Sequence, residues 1–136
     1  MNKIDTIIFD LGGVLIYLKP EYVFLNEFNG DRKKMQWFFD NIFTSDWNEN
    51  QDAGYPIAQA TEDLVKAFPK HEKHIRLFYG DWERMLGGAI NGTVNILDKL
   101  IKSKQYKVVA LTNWSSETFP IAQARFEFLQ WFEGIV

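Results

Sequence analysis

The feature that most constrains this chain is a short apolar run that ends in a carboxylate. The segment from Ile4 to Phe9 is rich in β-branched residues, which predicts a strand buried on both faces. Asp10 follows directly, and Gly12 and Gly13 then break the strand, because glycine permits backbone angles that other residues avoid. The pattern predicts a carboxylate at the tip of a buried strand, beside a glycine turn.

A second apolar run, from Tyr106 to Thr112, also predicts a buried strand that ends in polar residues. A helix is expected before it from about Thr93, and another after it from residue 115 or 116 to about residue 132. Gly134 to Val136 predicts the start of a third strand. Alternating strands and helices imply a Rossmann-like α/β fold. The expected sheet is partial and parallel, with three strands joined by right-handed crossovers.

The segment between the first two strands is predicted to be helical, because its apolar residues recur at helical spacing. The four expected helices are Pro20 to Phe28, one capped by Asp31 and reaching Phe43, Ile57 to Phe68, and Ile75 to Leu86. Thr44 to Tyr55 is interpreted as a loop and Gly87 to Gly92 as a flexible crossing. The domain prediction is a partial α/β core of residues 1–17 and 87–136, with an inserted helical cap of residues 18–86.

Composition excludes several classes of protein. The 136 residues carry a net charge of −3 and contain no cysteine, which argues against nucleic-acid binding and excludes disulfides and thiolate metal sites. Asp5 and Asp10 interrupt the apolar start, so no signal peptide is predicted. No stretch approaches the ~18 apolar residues of a membrane span. We therefore expect a cytoplasmic protein with no nucleic-acid or membrane partner.

Asp10 is the strongest candidate for chemistry. In parallel sheets ligands bind beyond the carboxyl ends of the strands, where Asp10 and the pair Thr112 and Asn113 are all expected. A carboxylate there can serve as a nucleophile or as a metal ligand. An aspartate that merely caps the following turn is the alternative from position alone. For Thr112 and Asn113, the alternative is ordinary strand-end and helix-capping chemistry.

Two motifs carry a resemblance to a known family. The run from Ile7 to Leu15 (IIFDLGGVL) closely resembles the first motif of the haloacid dehalogenase superfamily, in the subgroup that reads Phe-Asp-Leu-Gly-Gly. The run from Val108 to Asn113 (VVALTN) resembles its second motif. The helical stretch between them matches, in position and length, the cap that many members carry. The resemblance covers the whole chain.

The resemblance implies a Mg²⁺-dependent phosphatase of a small phosphorylated metabolite, such as a sugar phosphate. Asp10 would attack phosphorus, and Mg²⁺ would bind the Asp10 carboxylate and the Gly12 carbonyl. The Thr112 hydroxyl and the Asn113 amide would hold phosphate oxygens. The further residues expected to contact substrate are Gly13, Trp114 and Trp47. A buried core position is the alternative for Trp114, and an ordinary surface loop is the alternative for Trp47.

Three departures from the family pattern qualify this expectation. Gly12 stands where family phosphatases usually carry the aspartate that acts as general acid and base. The family's later lysine and its later acidic pair have no counterpart before Val136. We therefore expect a truncated form with little activity by itself, in which the Asp10 strand is an open sheet edge available for self-association.

Other interpretations remain open. A 2-haloacid dehalogenase would use an aspartate at the same place without Mg²⁺, and a non-catalytic binding module would also fit the missing motifs. His71 and His74 lie three apart in a predicted helix and could share a metal ion. With no cysteine and no third ligand at hand, a solvated helix face is the preferred interpretation of this pair.

Overall fold

The computed structural model describes residues 3–136. The chain forms two compact units. We call the first the α/β unit; it runs to Leu18 and includes residues 87–114 and 118–136. The second, the helical unit, comprises residues 19–86 and the short segment Ser115–Glu117.

Strands and helices have the following bounds. The strands are β1 (Thr6–Phe9), β2 (Ile16–Leu18), β3 (Leu86–Ala89) and β4 (Lys107–Ala110). The α-helices are α1 (Glu21–Glu27), α2 (Arg32–Asn41), α3 (Ser45–Asp52), α4 (Ile57–Ala67), α5 (Glu72–Gly80), α6 (Asn91–Ser103) and α7 (Phe119–Arg125). Short 3₁₀ helices span Pro69–His71, Trp82–Met85 and Glu127–Gln130.

The sheet of the α/β unit is parallel, which confirms the predicted fold class. β1 and β4 are hydrogen-bonded neighbours, with Phe9 opposite Ala110. Ile135 forms a parallel bridge to Ala110, so a third strand begins where the sequence predicted one. A second, two-stranded sheet joins β2 and β3. The fold is therefore α/β, and β1 and β4 run in one direction toward a common carboxyl edge.

The two faces of the β1–β4 sheet differ in burial. Phe9 is buried and packs against Phe132, with 6.0 Å between the ring centroids. Val108 and Ala110 are buried on the same face, because side chains two apart on a strand share a face. Ile8, which points the other way, is 61% exposed. Only one face of this sheet is thus packed as a core by residues of the α/β unit.

The helical unit has an aromatic core. Phe24 of α1 is fully buried and lies against Phe43 and Phe78, at centroid distances of 5.0 and 6.1 Å. Aromatic pairs at such distances add to the free energy of burial. Each helix buries the apolar positions that recur at its 3.6-residue period, which is why the sequence pattern located α1, α2, α4 and α5. The cap of α2 was also predicted correctly, since the Asp31 carboxylate accepts from the Lys34 amide at 3.1 Å.

Four sequence predictions about local structure were wrong. The predicted helix from Ile75 to Leu86 is α5 only as far as Gly80, and a 3₁₀ helix and β3 follow it. The predicted loop from Thr44 to Tyr55 contains α3, whose first turn is capped by the Thr44 hydroxyl. The predicted crossing at Gly87 is part of β3, because this segment pairs with β2. The predicted helix from residue 115 begins only at Phe119 and breaks at Phe126. Within residues 3–136, no helix is long and apolar enough to cross a membrane.

The two histidines are not on a solvated face, so that interpretation was also wrong. His74 lies 4.8 Å from the ring of Phe28 and 5.4 Å from that of Phe38, measured between centroids. His71 lies 5.0 Å from Phe38. Both imidazoles therefore belong to the edge of the aromatic core. Among residues 3–136, no group of three or more histidine and acidic side chains is placed to hold a metal ion.

Candidate active site

The main candidate residue, Asp10, lies at the carboxyl end of β1. Its side chain is exposed, and its Oδ1 accepts a hydrogen bond from the Leu11 amide at 2.8 Å. One carboxylate oxygen is thereby oriented by the backbone. Because the carboxylate is not buried, it can meet a ligand from solvent without any rearrangement of the core.

A tight turn follows Asp10 and fixes the direction of the strand end. The amides of Leu15 and Ile16 both donate to the carbonyl of Leu11, at 2.9 and 3.2 Å. Gly13 has a φ of +79°, a backbone angle that L side chains rarely adopt, and its amide donates to the Ile16 carbonyl at 2.9 Å. Gly12 is exposed, and a Cβ added there would meet nothing within 4 Å. The turn leaves open space directly beside Asp10.

Thr112 lies two residues beyond the end of β4, at the same carboxyl edge as Asp10. The Leu111 amide donates to the Phe9 carbonyl at 2.9 Å, so the ladder between the two strands reaches the residue before Asp10. The Thr112 Oγ1 accepts a hydrogen bond from the Trp114 amide at 3.2 Å. A hydroxyl has one proton to donate besides its acceptor lone pairs, so this bond leaves the Thr112 proton for a ligand.

Asn113 and Trp114 continue the strand end. Asn113 is exposed, and Trp114 is half-buried. The Trp114 indole N–H donates to the Thr118 hydroxyl at 3.1 Å, and its ring packs against Phe119 at 5.7 Å. These contacts show Trp114 fixing the loop between β4 and α7. A role for Trp114 as a wall of the substrate pocket stays a prediction.

The α/β unit therefore brings together six of the seven predicted site residues at or beyond the ends of two neighbouring strands. They are Asp10, Gly12, Gly13, Thr112, Asn113 and Trp114. Adjacent strands lie about 4.8 Å apart, so groups at the ends of β1 and β4 can contact one small anion. The seventh residue, Trp47, lies in α3 of the helical unit.

Trp47 lines a cleft of about 600 Å³ in the helical unit. Its indole N–H donates to the Ala60 carbonyl at 3.3 Å, and Tyr55 and Asp63 line the same cleft. The Tyr55 hydroxyl donates to Asp63 at 2.6 Å, which lowers the pKa of that carboxyl, and a hydrogen bond from Gln59 lowers it further. Trp47 is thus half-buried in a cleft with polar and apolar lining rather than on a plain surface loop.

The helical unit also holds a polar cluster that the sequence did not reveal. Gln51 is 1% exposed, and its Nε2 has no hydrogen-bond partner among the described residues. The Tyr79 hydroxyl lies 3.3 Å from both Gln51 Oε1 and Asn48 Oδ1. Burial raises the pKa of Tyr79 well above its usual range, and the charges of Asp52 and Glu117 raise it further. No local pattern indicates this cluster, because its members come from three separate segments.

Asp52, at the end of α3, is half-buried. Burial raises its pKa, the charge of Glu49 adds to the increase, and a hydrogen bond from the Ser115 amide opposes it. Ser115 and Glu117 were assigned no role from sequence, yet both join the helical unit through such contacts.

The strand-end residues fit a Mg²⁺ ion only in part. Mg²⁺ prefers oxygen ligands and is commonly held by one or two carboxylates together with waters and substrate phosphates. Asp10 supplies one exposed carboxylate, and the Gly12 carbonyl is a second oxygen of the right kind beside open space. These two residues would form one side of such a site. The remaining ligands would have to come from water, from the substrate or from further protein groups.

Two solved structures resemble this chain, although neither a protein-family model nor a curated protein matches its sequence. Both are crystal structures of the HAD family enzyme BT-2542 from Bacteroides thetaiotaomicron, and one of them is a magnesium complex. The magnesium complex has a TM-score of 0.63 and 23% identity, and the likeness covers 97% of this chain and 66% of that one. For the other structure the values are 0.58, 20%, 98% and 68%.

The chain therefore has an α/β fold of the haloacid dehalogenase (HAD) type. It spans about two thirds of the length of the BT-2542 chains. In this fold the predicted nucleophile and the predicted phosphate-binding threonine lie at the ends of two parallel strands that are hydrogen-bonded neighbours.

Proposed function

We propose that this protein is a HAD-like hydrolase: a Mg²⁺-dependent phosphatase of a small phosphorylated metabolite that acts through a phosphoaspartate at Asp10. The observation that carries the proposal is the placement of an exposed carboxylate and a threonine hydroxyl at the carboxyl ends of β1 and β4. Parallel α/β sheets bind their ligands at this edge. The magnesium in one BT-2542 structure is consistent with the proposal.

In the proposed reaction an Asp10 carboxylate oxygen attacks phosphorus, which forms an oxygen–phosphorus bond and breaks the bond to the leaving alcohol. The Leu11 amide, bonded to Oδ1, orients the carboxylate for this attack. The Thr112 hydroxyl and the Asn113 amide donate to phosphate oxygens, where negative charge increases. Water then hydrolyses the phosphoaspartate, releasing phosphate and restoring Asp10. When bound, Mg²⁺ would offset the charge of the phosphate.

The alcohol leaves as an alkoxide that needs a proton, and Gly12 cannot give one. General acid help is typically worth ~10²–10⁴-fold in rate. An aryl phosphate has a much better leaving group than an alkyl phosphate and depends less on that help. We therefore expect this chain to cleave aryl phosphates far better than alkyl phosphates.

The proposed substrate class is a small phosphorylated metabolite, and the helical unit contains a cleft with polar and apolar lining in which Trp47 lies. Trp47 and Tyr55 can pack against the apolar surface of a small ligand, and Asp63 can accept hydrogen bonds from its hydroxyls. Trp47 as a substrate contact is part of the proposal.

The test is to incubate the purified chain with 4-nitrophenyl phosphate, with and without Mg²⁺, and to search the acid-quenched protein for a phosphoryl group by mass spectrometry. We expect Mg²⁺-dependent labelling of the peptide that contains Asp10. Asp10→Asn should abolish it, and Asp5→Asn, an exposed acid at the other end of β1, should not. Labelling is measured within one turnover, so a slow overall rate does not hide it.

Three results would contradict the proposal. Labelling that survives Asp10→Asn would place the chemistry elsewhere. Halide release from a 2-haloacid without Mg²⁺, in the absence of phosphoryl labelling, would favour a dehalogenase instead. If neither reaction occurs and phosphate does not bind, the chain is a non-catalytic module with this fold.

A further inference from the structure

The segment Ser115–Glu117 has a distinctive position along the chain. It begins two residues after Asn113, which is a candidate anion-binding residue, yet it belongs to the helical unit. Ser115 is buried, and its Oγ accepts a hydrogen bond from the Glu117 amide at 3.2 Å. This local bond folds the segment into a turn and orients the Glu117 side chain.

Glu117 caps a helix that lies 60 residues away in sequence. One oxygen of its carboxylate accepts from the Ile57 amide, the first of α4, at 2.9 Å. α4 is preceded by Pro56, which offers no side-chain cap, and the first turn of α4 has no acidic residue of its own. A carboxylate here satisfies an amide without an intrahelical partner and interacts favourably with the helix dipole.

A second bond fixes the same segment at the end of α3. The Ser115 amide donates to the Asp52 carboxylate, which also accepts from Asn48 Nδ2 at 3.3 Å. The three-residue segment is thus held at both sides of the corner between α3 and α4.

On the strand side, the same stretch of chain is fixed by side chains. Thr112 Oγ1 accepts from the Trp114 amide, and the Trp114 indole donates to Thr118. From Thr112 to Thr118 the chain is therefore tied by hydrogen bonds at almost every residue. Two local bonds, from the Trp114 amide to Thr112 and from the Glu117 amide to Ser115, restrain the backbone between Glu117 and Thr112.

We propose that Glu117 is a positioning residue: by capping α4 it holds the Ser115–Glu117 segment, and with it the loop that carries Thr112 and Asn113, in the conformation that binds an anion. The inference rests on the proposed function for the identity of that anion. As a consequence, two properties are coupled. When the corner between α3 and α4 loses its fixed conformation, the strand-end loop should bind phosphate more weakly. The competing explanation is that Glu117 only stabilises α4.

The first measurement is amide hydrogen exchange of the folded chain by NMR. Glu117→Ala should accelerate exchange of the Ile57 amide, and also of the Trp114 amide, by about tenfold, since each bond opens more readily when the segment is released. Glu117→Gln keeps an acceptor and should restore most of the protection. Glu83→Ala, which removes an exposed glutamate of the helical unit, is the matched control and should change neither amide.

The second measurement is the affinity for inorganic phosphate in the presence of Mg²⁺, by titration calorimetry. Glu117→Ala should weaken binding about five- to tenfold, the size expected when one charge-assisted contact no longer holds the loop. Glu117→Gln should stay within about twofold of the parent chain, because its amide oxygen still accepts from Ile57.

The outcomes separate the inference from the proposed function. Faster exchange at Ile57 with unchanged exchange at Trp114 and unchanged phosphate affinity would overturn the positioning role, because Glu117 would then be a helix cap alone. If the parent chain binds no phosphate, the proposed function fails. The exchange of Trp114 then decides by itself whether Glu117 fixes the loop.

Discussion

The Leu111 amide donates a hydrogen bond to the Phe9 carbonyl across the strand ladder, at 2.9 Å. This bond lies just beyond the paired residues of β1 and β4, and it brings Asp10, which follows β1, level with Leu111, which precedes Thr112. Asp10 and Thr112 are therefore held at one edge by backbone pairing rather than by contact between their side chains. Substitutions of either side chain can change chemistry without disturbing the sheet.

Thr112 allows a direct test of the anion site. Thr112→Val keeps the shape of the side chain but removes the hydroxyl, so the rate of aryl phosphate cleavage should fall about 10²-fold, as when a donor to a developing oxyanion is lost. Thr112→Ser keeps the hydroxyl and should stay within about threefold of the parent rate. Steady-state turnover with Mg²⁺ is the measurement. Equal losses in both variants would contradict the role of the hydroxyl, because Thr112→Ser keeps both the proton donor and the acceptor of the Trp114 amide.

Gly12 allows the missing proton donor to be supplied. A Cβ at this position meets nothing within 4 Å, so Gly12→Asp should fold without a steric cost. Cleavage of an alkyl phosphate should rise by at least ~10²-fold, while aryl phosphate cleavage changes much less. The ratio of the two rates is the quantity to measure, and an unchanged ratio would contradict the role assigned to this position.

Gly13 is the matched control for that substitution. Its φ of +79° strains any side chain, so Gly13→Ala should lower the free energy of unfolding by about 1 kcal/mol or more. Thermal unfolding of the two variants compares the positions directly. Gly12→Asp should keep the parent's midpoint.

The sequence was sufficient to predict elements whose causes are local. β1 and its carboxylate follow from a single apolar run, and the Asp31 cap follows from a side chain that bonds three residues ahead. α3 was missed because SDWNENQD has no apolar period, and its order comes from the Thr44 cap and the burial of Gln51. Periodicity cannot report a helix that is stabilised in this way.

The sequence indicated the strand-end residues of the candidate site, but it did not indicate the contact of Glu117 with α4 or the strand β3. Thr112 is the polar end of a recognisable strand. Glu117 binds an amide 60 residues away, and β3 is a glycine-rich segment that is ordered by pairing with β2. Both depend on long-range contacts that leave no local pattern in the sequence.

Self-association through the exposed face of the β1–β4 sheet is expected. Ile4, Ile8 and Leu111 are 70%, 61% and 56% exposed, and the alternation of side chains along the strands places them on one face. Clustered apolar exposure of this kind is typical of surfaces that bind another chain. Sedimentation over a range of concentrations should show association. Ile8→Lys should reduce it, and Ile96→Lys, an equally exposed position on α6, should not.

The helical unit is expected to be less stable at mildly acidic pH than at neutral pH. The pKa of His74 is lowered, chiefly because burial against Phe28 and Phe38 disfavours the charged imidazole, although Glu27 opposes the shift. The unfolded chain therefore takes up this proton more readily than the folded chain. Neutral His74 contributes fully to the free energy of unfolding above the unfolded pKa of about 6.5. This contribution is lost as the pH falls through the folded pKa.

Denaturant unfolding at about pH 7.5 and about pH 5.5 should therefore show a lower midpoint at the acidic value. His74→Gln removes the titrating group, and the difference between the two midpoints should shrink. Lys33→Gln removes an exposed lysine of α2 that is not among the charges acting on His74, and it should keep the parent's difference. Glu27 does not interfere in this window, since its own pKa is lowered from 4.5 by its bond with Lys73. An unchanged difference in His74→Gln would show that another group governs the acid sensitivity.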